Sequence, residues 1–163
     1  MSLSHQSKPK SEKPEFTIRA ARSDEASLIR DFQVTMAFES EKLRLDPETC
    51  LRGVRRIFAE PTLGEYLVLE SASAIAGCVL LQREWSDWRA RSVLWIHSLF
   101  VRPEFRGKGA YRGLHASLQE RVKSDPELAG LRLYVDRGNT GAIAAYETLG
   151  MTREHYHLYE WMK

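Results

Sequence analysis

Cysteine is scarce in this chain: Cys50 and Cys78 are the only two in 163 residues. They give neither a metal-ligand spacing nor a disulfide framework, so no metal is expected. Charge of one sign is also lacking. Twenty-four basic and 22 acidic residues leave a net charge of +2, far short of the basic field of a nucleic-acid binder. Long hydrophobic runs are absent too. The run from Ala74 to Leu81 covers less than half of the ~20 apolar residues that a membrane-spanning helix needs, so no membrane partner is expected. No apolar h-region follows the start, which removes a secretory signal from the reading and makes a cytoplasmic protein the expectation. What remains is an ordinary globular composition, 43% hydrophobic and 28% charged, in a length suited to one domain with a proper core.

Residues Met1 to Pro14 are rich in Ser, Lys and Pro without apolar periodicity and are expected to form a flexible tail; residues 15–163 are expected to form a single domain. Phe16 to Ala20 alternates and predicts a strand. Ser23 is placed to cap a helix from Asp24 to about Glu41, with Leu28, Ile29, Phe32 and Met36 on one face. Pro47 opens a second helix to about Ala59. Glu65 to Glu70 and Ala74 to Trp85 predict a hairpin, and the turn Ser86 to Arg91 leads into a strand from Ser92 to Val101. An amphipathic helix follows from Gly109 to Lys123, then a strand from Gly130 to Val135. Asn139 can cap a helix from Thr140 to Leu149, stopped by Gly150. One or two final strands are expected within Met151 to Met162, around His155. The order β, α, α, β, β, β, α, β, α, β predicts one mixed α/β domain without repeats.

The most informative stretch joins the strand ending at Val101 to the helix starting near Gly109. Gly107 and Gly109 free the backbone to close its N–H groups on an anion, and the helix turns its positive end toward the same point. Arg106 and Lys108 add full charges there. This is chemistry for a phosphate or pyrophosphate. Two common nucleotide loops fail the comparison. A P-loop needs Lys then Ser or Thr after its last Gly, and Gly109 is followed by Ala110 and Tyr111. The dinucleotide fingerprint needs a third Gly where Arg112 stands.

The pattern Val101-x-Pro103-x-x-Arg106-Gly107-x-Gly109 resembles motif A of the GNAT superfamily, the acyl-CoA-dependent N-acetyltransferases. Tyr111 departs from it, because the family has a small residue at that place. Downstream, Asn139-x-x-Ala142-x-x-x-Tyr146-x-x-x-Gly150-Met151 is similar to the family's motif B. The resemblance implies a mixed, mostly antiparallel sheet flanked by about four helices, and acetyl-CoA as co-substrate. It implies that the pyrophosphate lies on N–H groups of Arg106, Gly107, Lys108, Gly109, Ala110 and Tyr111. The pantetheine would then run beside Leu99, Phe100 and Val101. Asn139 is a further candidate cofactor contact, or simply a helix cap.

The implied reaction is acetyl transfer to a primary amine by direct attack, with no covalent enzyme intermediate. An alkylammonium titrates near ~10.4, so a proton must be removed before attack, and a departing thiolate of pKa near ~8.5 gains from a proton donor. Tyr146 holds the position of the family's acid; the alternative is a core tyrosine. His97 is the candidate base, or a structural histidine. Strand alternation puts it on one face with Leu99 and Val101. For the acceptor, Trp85 and Asp87, with Trp88, could frame a cation, or else belong to an aromatic turn. Glu39, Glu41, His155, Tyr156 and Tyr159 are further candidates. A small polyamine-like or amino-acid-like amine leads; a protein or peptide amine and a non-catalytic acyl-CoA-binding module are the alternatives. Relatives of this kind often form homodimers.

Overall fold

The computed structural model describes residues 16–72, 74–153 and 157–163. Its centre is one five-stranded sheet in which spatial order equals chain order. The strands are β1 (Thr17–Ala20), β2 (Glu65–Glu70), β3 (Ile75–Ser86), β4 (Arg91–Val101) and β5 (Leu128–Leu133). The first three pairings are antiparallel, and β4 with β5 is parallel. That parallel step needs a crossover, which the helix α3 (Ala110–Ser124) supplies. Helices α1 (Ala26–Glu41) and α2 (Pro47–Ala59) come between β1 and β2, and α4 (Thr140–Thr148) follows β5. The expected fold class is the one observed.

Period-2 alternation gives each strand two apolar faces, and each face has its own core. On one face Leu67, Leu69, Val79, Leu81, Leu94 and Ile96 meet Leu114 and Leu118 of α3. On the other, Val68, Cys78 and Phe100 meet Ile29 and Phe32 of α1 and Leu51 and Val54 of α2. A leucine buried as completely as Leu114 or Leu118 stabilises the fold by roughly 1.5–3 kcal/mol, so α3 is held firmly against β4 and β5.

Helix starts are settled by side chains. Asp46 accepts from the Thr49 N–H at 2.9 Å and begins α2 at Pro47, as the proline position predicts. Ser23 does not cap α1. Residues Ser23–Glu25 form a single 3-10 turn, and the Glu25 carboxylate takes the Arg22 N–H at 2.7 Å. Glu25 also pairs with Arg19 at 2.7 Å, which ties the start of α1 to β1, and these partners hold its carboxyl below the usual range. At the other end of the chain, the strand expected within Met151 to Met162 is not found among the described residues. Residues 151–153 and 157–163 form no ladder, and Leu158, Tyr159 and Trp161 are exposed. Alternation there marks capacity for a strand, but a strand also needs a partner edge. His155 and Tyr156 lie outside the described residues.

One irregularity controls the site. Cys78 pairs with Phe100, but Leu80 pairs with His97, so β4 carries one extra residue. Ser98 sits at φ 45° within that bulge, a left-handed conformation that costs a non-glycine residue energy and tends to persist where function needs it. Across from the bulge Gly77 is obligatory: a Cβ there would lie 2.2 Å from the Phe100 carbonyl oxygen.

Candidate active site

The bulge decides which way His97 faces. Leu94 and Ile96 pack on the α3 face, and so do Leu99 and Val101. Alternation from Ile96 puts His97 on the opposite face, and the extra residue then restores Leu99 to the α3 side. The expectation that His97 shares a face with Leu99 and Val101 is therefore corrected. An unbroken strand would have given that result; this one is broken between them.

The bulge also coincides with a parting of strands. Pairing of β4 with β5 runs from Ser92↔Leu128 to Ile96↔Leu133 and no further. From His97 to Val101, β4 keeps its ladder with β3 alone. Leu99, Phe100 and Val101 thus have one edge that β5 does not occupy. An extended chain bearing amides can add to such an edge as a strand would.

Just beyond lies the glycine loop. Pro103–Phe105 make a 3-10 turn, and the Arg106 N–H closes it onto the Pro103 carbonyl at 3.2 Å. The N–H groups that could face an anion therefore start at Gly107, one residue later than expected. Gly107 and Gly109 have φ of 70° and 91°, and a Cβ on either would meet open space. Glycine is needed here for the backbone turn, and the space left beside it admits a ligand. The first helical bond of α3 is Gly113 N–H to Gly109 O at 3.0 Å, so the N–H groups of Ala110, Tyr111 and Arg112 precede the ladder. Together these features fit a pyrophosphate.

The two basic side chains are less free than their charges suggest. Arg106 donates to Val101 O at 2.8 Å and to Glu39 on α1 at 2.6 Å, lying over the Phe100 ring. It pins the loop to the end of β4 and to α1. Glu39, a candidate for the acceptor, is brought to Arg106 instead. Lys108 lies 5.8 Å from the centre of the Phe105 ring.

Tyr146 projects from α4 into contact with α3. Its ring meets Tyr111 edge-on at 5.2 Å, and burial pushes its phenol up, so it is protonated at neutral pH. Tyr111 is not the small residue of the family pattern; it packs at the edge of the α3 core. Asn139 accepts from the Ala142 N–H at 3.1 Å and caps α4. Cys78 is fully buried, and burial pushes its thiol up to about 12, which leaves it no role as a nucleophile.

On the other face of the sheet an open cleft of about 350 Å³ lies beside His97. Leu63, Gln82, Glu84, Trp95 and Tyr134 line it with His97. Three rings meet there: Trp95 with Tyr134 at 4.5 Å, Trp95 with His97 at 5.9 Å, and His97 with Tyr134 at 6.1 Å. Glu84 accepts from the Trp95 indole at 2.6 Å and pairs with Arg132 at 2.9 Å. Burial lowers the His97 pKa, so its imidazole is neutral at pH 7 and able to accept a proton. Sequence reasoning missed Trp95, Glu84 and Tyr134 as companions of His97. Period 2 carried a signal for Trp95; the placement of Glu84 and Tyr134 depends on strand register.

Trp85 and Asp87 fall elsewhere. Trp85 pairs with Ser92 near the β3–β4 turn, on the face opposite Glu84, and is 62% exposed. Asp87 accepts from the Trp88 N–H at 2.9 Å, its carbonyl takes the Ala90 N–H, and Trp88 is 86% exposed. The hairpin tip therefore forms a turn rather than a cation frame. Among the described residues no group of His, Cys, Asp and Glu could hold a metal, and no helix is long and apolar enough to cross a membrane.

A split edge beside a glycine loop at a helix N-terminus can hold an extended, phosphate-bearing ligand. Residues 27–151 match the family model described as "Acetyltransferase (GNAT) family". The chain belongs to the GNAT acetyltransferase family and is an acyltransferase. It is similar to a solved structure of a possible acetyltransferase from Clostridium difficile 630, with 33% identity over 91% of this chain and 97% of that one, and a TM-score of 0.84. The fold also matches a ribosomal-protein-alanine N-acetyltransferase from Brucella melitensis biovar Abortus 2308 at 13% identity, over 91% and 100% of the two chains with a TM-score of 0.74. An aminoglycoside acetyltransferase from an uncultured soil metagenomic sample matches at 20% identity, over 91% and 99%, with a TM-score of 0.69. No curated protein matches the chain.

Proposed function

We propose that this protein transfers an acetyl group from acetyl-CoA to a primary amine of a small molecule that sits in the cleft beside His97. The observation that carries this reading is the parting of β4 from β5 after Ile96. On the α3 face of that parting lies Tyr111 with Tyr146 against it; on the other lie His97 and its aromatic neighbours, and the glycine loop follows the end of β4. Acetyl-CoA supplies the activated acetyl group. Backbone N–H groups of Gly107 to Tyr111 hold its pyrophosphate, and the free edge of Leu99 to Val101 aligns its pantetheine arm. His97, neutral at pH 7, takes a proton from the acceptor nitrogen, directly or through one water. Tyr146 gives the proton of its phenol to the leaving sulfur. No cysteine participates, consistent with the protonated state of Cys78.

The test is thiol release from acetyl-CoA with a panel of amines: arylalkylamines, amino acids, polyamines, aminoglycosides and a short peptide with a free N-terminus. Turnover of a small amine with kcat/KM at least about tenfold above the peptide supports the proposal. Preference for the peptide moves the acceptor to a protein amine. Tight CoA binding without turnover of any amine makes the protein a binding module.

A further inference from the structure

Tyr111 stands where the family pattern has a small residue, and the acid–base scheme above leaves its side chain without a task. It lies in the first turn of α3, directly after the glycine loop. Its ring and that of Tyr146 on α4 form a T-shaped pair, with centroids 5.2 Å apart and planes at 67°. It also meets His115, one turn along α3, at 5.8 Å. Among the described residues these two are the titratable groups whose rings touch it. The Tyr111 hydroxyl and His115 Nε2 are both buried, and neither has a hydrogen-bond partner among the described residues, so neither already engages the other. His115 is only 2% exposed. A hydroxyl buried without a partner destabilises a fold, and phenylalanine would fill the same space without that cost. The hydroxyl makes physical sense if its partner forms during the reaction.

We propose that Tyr111 is a positioning residue for Tyr146, its hydroxyl donating a hydrogen bond to the Tyr146 oxygen as that oxygen gives up its proton. This rests on the reading of Tyr146 as the acid. In the step concerned, the acceptor nitrogen bonds to the acetyl carbonyl carbon and the carbon–sulfur bond breaks, its electron pair passing to sulfur. The Tyr146 proton moves to that sulfur. Tyr146 is left as a phenolate in a half-buried place, where burial works against charge. The Tyr111 ring already lies against that of Tyr146, so a turn of its hydroxyl is enough to place a donor on the charged oxygen. The nitrogen sheds its surplus proton to His97 or water, His97 releases that proton to solvent, and Tyr146 recovers one from solvent, which restores the enzyme.

Tyr111→Phe tests the proposal, because it keeps the ring edge and removes only the hydroxyl. With the best amine of the panel, kcat is expected to fall about tenfold while KM for acetyl-CoA stays within about twofold. A second readout needs no substrate. In protein labelled with 13C at the tyrosine ζ carbon, the Tyr146 signal, assigned by its loss in Tyr146→Phe, is expected to titrate at higher pH once the Tyr111 hydroxyl is gone. Adding Tyr111→Phe to Tyr146→Phe is expected to change kcat no further. Unchanged kcat and an unchanged Tyr146 titration in Tyr111→Phe would overturn the proposal; packing alone would then account for the residue. If Tyr146→Phe itself turns over at the wild-type rate, the acid reading fails and the proposal falls with it. Slow Tyr146→Phe beside normal Tyr111→Phe sinks the proposal alone.

Discussion

The two sides of the parted sheet are built in different ways. The loop side comes from one short stretch of chain, Val101 to Tyr111, with Tyr146 added from α4. The cleft side is assembled from the segment after α2, from β3 and β4, and from the residue just past β5: Leu63, Gln82 and Glu84, Trp95 and His97, Tyr134. The first side uses backbone N–H groups, whose chemistry is the same in any sequence that makes the turn. The second uses side chains, whose meeting depends on register. A binding function shared by a family can sit on the first kind of surface; choice of acceptor belongs on the second.

Variants can break this comparison, and the largest effect belongs to Tyr146, the proposed acid. Tyr146→Phe keeps the contact with Tyr111 and removes the proton, so kcat should drop about 10²-fold at neutral pH, with CoA affinity by calorimetry unchanged. A normal rate would leave the loop side with binding alone. Gly109→Val forces a β-branched residue to φ 91°. It should weaken CoA about tenfold and cost roughly 1–2 kcal/mol of stability, read by calorimetry and by denaturant midpoints. If affinity holds, the N–H cradle is not where the anion sits.

His97→Gln probes the cleft side. Burial lowers the folded pKa of His97 below the usual ~6.5, and the neutral form is the proposed base. The wild-type kcat/KM should therefore rise with pH through a limb below ~6.5, and His97→Gln should flatten that limb. An acid limb that stays in place removes His97 from proton transfer. Linkage gives a check without substrate. The unfolded chain binds this proton more readily than the folded one, so stability present above ~6.5 is lost as pH falls through the folded value. His97→Gln should lessen that loss between about pH 7 and 5, measured by urea unfolding.

Smaller effects sharpen the boundary between the cleft and the hairpin tip. Trp95→Ala should raise the acceptor KM severalfold, while Trp85→Ala, on the opposite face, should leave it alone. Equal effects from both would return the acceptor to the tip. The smallest change is expected from Glu39→Gln. Its pair with Arg106 is exposed on both sides, 40% and 47%, so stability should move by no more than about 0.5 kcal/mol. A large loss in thermal unfolding would show that α1 locks the loop more tightly than an exposed pair can.

Most helices and strands could be read directly from the chain. Pro47 marked the start of α2, Gly150 stopped the last helix, and the polar turns between apolar runs gave β2 to β4. The glycine loop was equally legible, because Gly107 and Gly109 are the residues that positive φ demands. The bulge at Ser98 was not, since neither glycine nor proline marks it. One unmarked residue was enough to reverse the face of His97. Ser23 failed as a cap for a related reason: the Glu25 carboxylate takes the Arg22 N–H, with Arg19 and Arg22 pairing with it, and Ser23 is drawn into a 3-10 turn ahead of α1.

The sequence by itself determined the fold class, the loop that fits a pyrophosphate and the motif that carries Tyr146. Local spacing controls those features, and local spacing is what a sequence displays. Only the tertiary structure decided where β5 leaves β4, which face His97 takes, and which rings gather around it. Those outcomes depend on strand register and one extra residue in β4, set by contacts between segments far apart in the chain. The same holds for Tyr111. Its departure from the family pattern was visible in the chain, but its place against Tyr146 exists only because α3 and α4 pack together.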